Sequence, residues 1–300
     1  RDCLLSRGLG DVYKRQVAFN VSGEGNELTT TDIQVNLYKV ADVDVSGNYT
    51  ATKDFTGLDV SSVRADNNDA ASEWVERAKK AKEKLSDSVK PIATVTLTRG
   101  IGAKAGLDTG LYLVDTPEVV TTNYTYTFTP YLVSLPTNNY YSSGNDDWIY
   151  DLTDTNAIGL KPEEHARYGD LVINKTLANH NATTGKKATF VFQIDITPLK
   201  SDKTETRIES LDFEAAGNSS VTITKIPAGA TVKVTEVYSG ASYKLISEKD
   251  QETTIVATDK DAKGDLASVS FKNDVDDNMN GGYGVKNNFK LNENGQYQYT

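Results

Sequence analysis

Apolar and polar positions alternate with a period of two along most of the chain, the pattern of strands buried on one face. Residues Ile33–Val40 place Ile33, Val35 and Leu37 on one side. Similar short runs follow at Tyr49–Phe55, Ile92–Leu97, Gly110–Val114, Tyr124–Phe128 and Tyr131–Leu135, and one precedes at Val17–Val21. Turn-forming residues such as Ser46, Gly47 and Asn48 separate them. The second half predicts strands at Asp170–Lys175, Ala188–Ile196, Ser220–Ile226, Thr231–Val237, Tyr243–Ser247, Thr253–Ala257 and Ser268–Asn273. In Thr231–Val237 the alternation puts Val232, Val234 and Glu236 together, but Val237 also looks buried, which complicates the register.

One segment breaks the pattern. Residues 69–86 space Ala71, Trp74, Val75, Ala78 and Leu85 at helical intervals. Asn68 or Asp69 suits the cap, and Lys79, Lys80, Lys82 and Lys84 crowd the later half, as the helix dipole favours. The lysine run reads as a solvated helix face and Trp74 as a core anchor. Closely spaced strands with turns between them predict sandwiches, not a βαβ fold.

The 300 residues suit two domains. The expected architecture is all-β: two Ig-like β-sandwich domains in tandem, with one helix inserted in the first. Residues 1–16 match nothing in the periodic pattern and read as a non-native or disordered leader. The first domain spans 17–160, and the polar stretch 161–169, within GLKPEEHARYG at 159–169, reads as a linker. The second domain spans 170–300.

Composition narrows the function. A net charge of −10, from 42 acidic and 32 basic residues, argues against binding a phosphate backbone. No apolar run is long enough to span a membrane. Cys3 is the sole cysteine, so no internal disulfide can form. A secreted β-protein built this way needs another staple. Asp42, Asp44 and Ser46 imitate the start of a calcium loop, but Lys53 occupies the closing acidic position. Asp274, Asp276, Asp277 and Asn278 read either as a cation loop or as an acidic hairpin tip. His165 and His180 are the two histidines and stand in polar contexts. No metal, cofactor or catalytic triad is therefore expected, and the chain does not read as an enzyme.

Three stretches of the second half are similar to a known family. Residues 170–176 (DLVINKT), 226–236 (IPAGATVKVTE) and 269–273 (VSFKN) resemble, in order, the first, middle and last strands of a CnaB-like domain, the pilin isopeptide-linkage fold. Residues 35–42 (VNLYKVAD), 108–114 (DTGLYLV), 131–136 (YLVSLP) and 148–151 (WIYD) resemble the N-terminal domain of sortase-assembled pilins, and residues 281–300 their tail. The resemblance implies a Gram-positive surface protein, extracellular and anchored to the cell wall, whose partners are sortase and other pilin subunits. It implies a structural subunit of a pilus or adhesin shaft. The alternative is an adhesin whose first domain recognises a host glycan or matrix protein. No LPxTG-like sorting signal is present, so the expectation is a piece of a longer protein. The pilin lysine motif is off register: Ala157 takes the lysine position, and Lys161 is the nearest candidate for an inter-subunit acceptor. A solvated lysine is the other reading of that residue.

On the residues alone, Lys175 and Glu236 form a salt bridge and Asn273 is a turn residue. The resemblance implies instead an isopeptide bond between Lys175 and Asn273, with Glu236 as the proton-shuttling acid. Burial would hold Lys175 neutral, and a protonated Glu236 would donate to the amide oxygen of Asn273. The first domain is expected to lack such a bond. Its opening strand has no lysine, Lys39 lies one strand later, and the middle strand ends in Asp115.

Overall fold

The alternating segments are extended and pair into sheets in the computed structural model. It describes residues 15–21, 27–44, 47–61, 70–138, 148–149, 152–153, 157–183, 187–240, 242–260, 266–276, 289–291, 294 and 297–299. Two units divide after His165. Most of the leader, with Cys3, lies outside the described residues, as do Asp277, Asn278 and most of the segment after them.

In the first unit the strands are β1 (Arg15–Asn20), β2 (Ile33–Val43), β3 (Tyr49–Ala51), β4 (Ala93–Leu97), β5 (Ile101–Leu107), β6 (Gly110–Asp115), β7 (Val119–Val120), β8 (Tyr124–Phe128), β9 (Tyr131–Leu135), β10 (Thr137–Asn138), β11 (Trp148–Ile149), β12 (Ile158–Gly159) and β13 (Pro162–Ala166). Helix α1 (Ala70–Glu83) is inserted between β3 and β4. The main sheet runs β3-β2-β6-β9, with β4 also on β2, and smaller sheets run β12-β1-β5 and β13-β8-β7.

β6 is buried along its whole length, which a one-sided sheet would not permit. Tyr112 and Val114 pack with Val17, Phe19, Ile33 and Val35 on one face. Leu111 and Leu113 pack with Ala78 and Ala81 of α1 on the other. The helix is there to cover that second face, since each large apolar side chain withdrawn from water is worth about 1.5–3 kcal/mol. Arg77 fastens α1 at its edge: its guanidinium meets the Ser61 carbonyl, lies 3.2 Å from Asp59 and stands 5.2 Å from the Trp74 ring centre.

Several sequence expectations change. The stretch read as a linker, 161–169, holds the division between the units, and it is extended, containing β13 and the start of the next strand. Tyr126 donates to Glu164 at 2.8 Å, and Thr127 Oγ1 lies 3.1 Å from His165 Nε2, so β8 holds this segment. It lacks an apolar period because β13 is an exposed edge strand. β1 begins at Arg15, inside the segment read as a leader, with the Gln16 carbonyl accepting from Leu152 N at 2.9 Å. The run Tyr49–Phe55 ends as a strand at Ala51 and closes in a 3-10 turn at Lys53–Phe55.

In the second unit the strands are β14 (Tyr168–Leu177), β15 (Ala188–Thr197), β16 (Glu205–Phe213), β17 (Gly217–Pro227), β18 (Thr231–Tyr238), β19 (Tyr243–Leu245), β20 (Asp250–Thr254), β21 (Ala267–Val275), β22 (Phe289–Leu291) and β23 (Tyr297–Tyr299). Two four-stranded sheets, β17-β14-β21-β19 and β16-β15-β18-β20, enclose one core of Leu171, Ile173, Phe190, Phe192, Val234 and Phe271 among others. β15 alternates buried and half-buried residues without a break. The β14–β21 pair is parallel and joins the first core strand to the last.

Gly169, at the entry to β14, faces backbone: an added Cβ would fall 1.9 Å from the Val256 carbonyl oxygen and 2.8 Å from its carbon. Gly169→Ala should lower stability by about 1–3 kcal/mol, the usual range for overpacking. Urea denaturation checks this, and an unchanged midpoint would contradict the packing.

Candidate functional site

The inward face of β14 reads Leu171, Ile173, Lys175, Leu177, and all four are buried. The alternation that buries the leucines thus carries a lysine into the core. On the adjacent parallel strand, Lys175 is paired with Phe271 and Leu177 with Asn273. Asn273 therefore lies two residues further along the neighbouring strand, on the same inward face. Its backbone carbonyl accepts from Ala178 N at 2.9 Å, which holds the end of β14 against β21.

Glu236 comes from β18 in the opposite sheet. Its inward orientation continues the alternation of Val232 and Val234, and a bulge follows it: Glu236 pairs with Phe192 and Tyr238 with Val191, so Val237 is the extra residue. Val237 is 48% exposed while Glu236 is 3% exposed. Val237 looked buried from the sequence, but it faces outward as the alternation through Glu236 requires.

The three side chains meet in the core. Lys175 is 1% exposed and Asn273 is fully buried. Lys175 Nζ contacts both Glu236 Oε2 and Asn273 Oδ1. Asn273 Nδ2 donates to Glu236 Oε1 at 2.6 Å. The carboxyl of Glu236 thus bridges the amine and the amide nitrogen. The sequence reading had it donate to the amide oxygen; in the structure that oxygen faces the lysine instead.

Aromatic rings close the cavity. Nζ lies 4.3 Å from the Phe190 ring centre and 5.6 Å from that of Phe192, and Phe192 packs on Phe271 at 5.2 Å. Neither phenylalanine was singled out from the sequence. Their spacing in Ala188–Ile196 placed them on the core face but gave no sign of the amine between them. Burial pushes the Lys175 pKa down, and the hydrogen bond and negative charge of Glu236 oppose that shift without cancelling it.

The other candidates stand apart. Lys161 is exposed between β12 and β13, in the first unit. Lys39 pairs with Asp42 at 2.6 Å and Asp115 with Lys82 of α1 at 2.8 Å. Among the described residues no group of His, Cys, Asp and Glu is arranged to hold a metal ion.

A family model for a domain of unknown function, DUF5979, matches residues 171–276, a span that contains Lys175, Glu236 and Asn273. No curated protein matches the chain. Among solved structures, the minor pilin of Streptococcus agalactiae is similar at 10% identity, covering 87% of this chain and 96% of its own, with a TM-score of 0.26. The major pilin SpaA of Corynebacterium diphtheriae is similar at 11% identity, covering 87% and 100%, with a TM-score of 0.26. The TIE protein of Bacillus anthracis is similar at 12% identity over 88% of this chain, which spans 34% of that protein, with a TM-score of 0.31. Superposition this loose does not bear on function, and the site is read from its own geometry.

In an Asn273→Ala variant the Lys175 amine is titratable whatever its state beside Asn273. With its native pKa below the ordinary 10.5, the folded protein binds fewer protons than the unfolded one between the two values. The stability of this variant should therefore rise as pH climbs from the lowered value towards 10.5. Urea denaturation across that window measures it, and stability that fell would contradict the direction of the shift.

Proposed function

We propose that Lys175 and Asn273 react to form an intramolecular isopeptide bond, and that the chain is a structural shaft subunit of a bacterial surface pilus or adhesin. The observation that carries this reading is the contact of one buried lysine with both a buried amide and a buried carboxyl. A solvated salt bridge needs no such enclosure, and an ion pair in a dry core is poor value in stability.

The geometry suits the chemistry atom by atom. Moving one proton from the ammonium to Glu236 Oε2 leaves a neutral amine, the form that attacks. Nζ then bonds to the Asn273 side-chain carbonyl carbon. The bond from that carbon to Nδ2 breaks, and Nδ2 departs as ammonia with a proton supplied through Glu236 Oε1. Nζ passes a second proton to Glu236, which ends protonated beside the new secondary amide. Glu236 touches both nitrogens between which the proton must travel. Holding the reactants in one core supplies about 7–11 kcal/mol of the barrier for well-oriented groups. The reaction happens once per chain, so this is self-modification and not turnover.

The bond would close a loop between residues 98 positions apart. By the arithmetic used for disulfides, a loop of about 100 residues removes close to 4.7 kcal/mol of unfolded-state entropy. It would also join the first and last core strands, so that tension across the unit loads a covalent bond in place of a hydrogen-bond ladder. That property suits a surface shaft, as the sequence resemblance implies, together with attachment to a Gram-positive wall and sortase as a partner. On this reading Lys161, exposed in the first unit, is the candidate acceptor for a bond to the next subunit.

Intact mass spectrometry of the purified chain should give a mass one ammonia below that of the sequence. Glu236→Ala should restore the full mass. An unreacted wild-type chain would overturn the proposal.

A further inference from the structure

β21 has β14 along one edge, but its other edge is covered by β19 only at Asn273–Val275. Residues Ala267–Lys272 thus have no strand partner on that side among the described residues. An unpaired edge is open to register slips and to foreign strands. Three groups occupy it instead. Ile246 N donates to the Lys272 carbonyl at 2.8 Å, and Lys272 N donates to Ser247 Oγ at 3.1 Å. The third is Gln251 of β20: its Nε2 donates to the Ser270 carbonyl at 2.5 Å, and its Oε1 accepts from Ser270 N at 3.0 Å. One side-chain amide reproduces both hydrogen bonds that a neighbouring residue in a strand would make.

Gln251 belongs to the other sheet. β20 pairs with β18, and Gln251 stands opposite Val234, two residues before Glu236. Its side chain grips β21 three residues before Asn273. Gln251 therefore joins the sheet that carries the acid directly to the strand that carries the amide. The chain itself crosses between the sheets at this corner from β19 to β20, and at the opposite corner from β16 to β17, but neither crossing fixes the register of Ala267–Ser270.

We propose that Gln251 is a positioning residue for the Lys175–Asn273 reaction, which clamps the register of β21 against β18 so that Asn273 meets Glu236 and Lys175. The inference rests on the isopeptide reading above. The carboxyl must contact two nitrogens on two neighbouring strands of the facing sheet at once, and side-chain packing alone tolerates small slides of one sheet over the other. A displacement of about 1 Å at a reacting centre can cost about a hundredfold in rate. A bidentate hydrogen bond from the sheet carrying Glu236 to the backbone of β21 opposes that slide.

The test follows bond formation in time. The full chain is made by cell-free synthesis and quenched in acid at intervals. The crosslinked fraction is read by intact mass, and the folded fraction by protease resistance of the same samples. Gln251→Ala should slow crosslinking of the folded fraction by about ten- to a hundredfold relative to wild type. Gln251→Glu keeps the chain length and the acceptor for Ser270 N but loses the donor, and should fall between the two. It also serves if Gln251→Ala fails to fold. Adding Gln251→Ala to Glu236→Ala, which cannot react, measures the purely structural cost. Folded Gln251 variants that crosslink at the wild-type rate would overturn the clamp while leaving the isopeptide reading intact, even if they are less stable. A wild-type chain that never loses ammonia would overturn both.

Discussion

The second unit depends on a primary amine placed where water cannot reach it. A lysine in an apolar core is costly as an ammonium, because the lost hydration must be replaced by fixed partners. Here the replacements are one carboxyl and one amide, enclosed by phenylalanines. The same enclosure that disfavours the charge favours the nucleophile. The arrangement is therefore a poor salt bridge and a good reactant pair, and that asymmetry connects the packing of the sandwich to its proposed chemistry.

The strand order makes the placement possible. Lys175 and Asn273 come together because the first and last core strands are parallel neighbours, while the acid is delivered across the core by β18. The placement is held by strand pairing, by the Ala178–Asn273 backbone hydrogen bond and by the Gln251 side-chain amide on the remaining edge. The first unit solves a different problem. Its main sheet is apolar on both faces, and α1 covers the face that the smaller sheets leave open.

Much of this was legible in the residues, for identifiable reasons. The run Ala188–Ile196 announced β15, and Lys175, Glu236 and Asn273 stood out through the family resemblance, not by the residues alone. The helix was readable because its apolar spacing differs from that of the strands around it. What escaped was structure held by edges and exceptions. β13 is exposed and polar, so no apolar period marked it as a strand, and it read as a linker. The Val237 bulge shifts the pairing of Tyr238 by one residue, which alternation does not reveal. Which oxygen or nitrogen of Asn273 faces Glu236 depends on side-chain placement across two sheets. So does the role of Gln251, a polar residue on a short edge strand that resembles any other in sequence.

The proposed function turns on a covalent bond between Lys175 and Asn273. Its most direct measurement is tandem mass spectrometry of a protease digest of the purified chain. The account predicts one branched peptide in which the Lys175 side chain is joined to that of Asn273. Two separate linear peptides, one with a free Lys175 amine and one with an intact Asn273 amide, would contradict it.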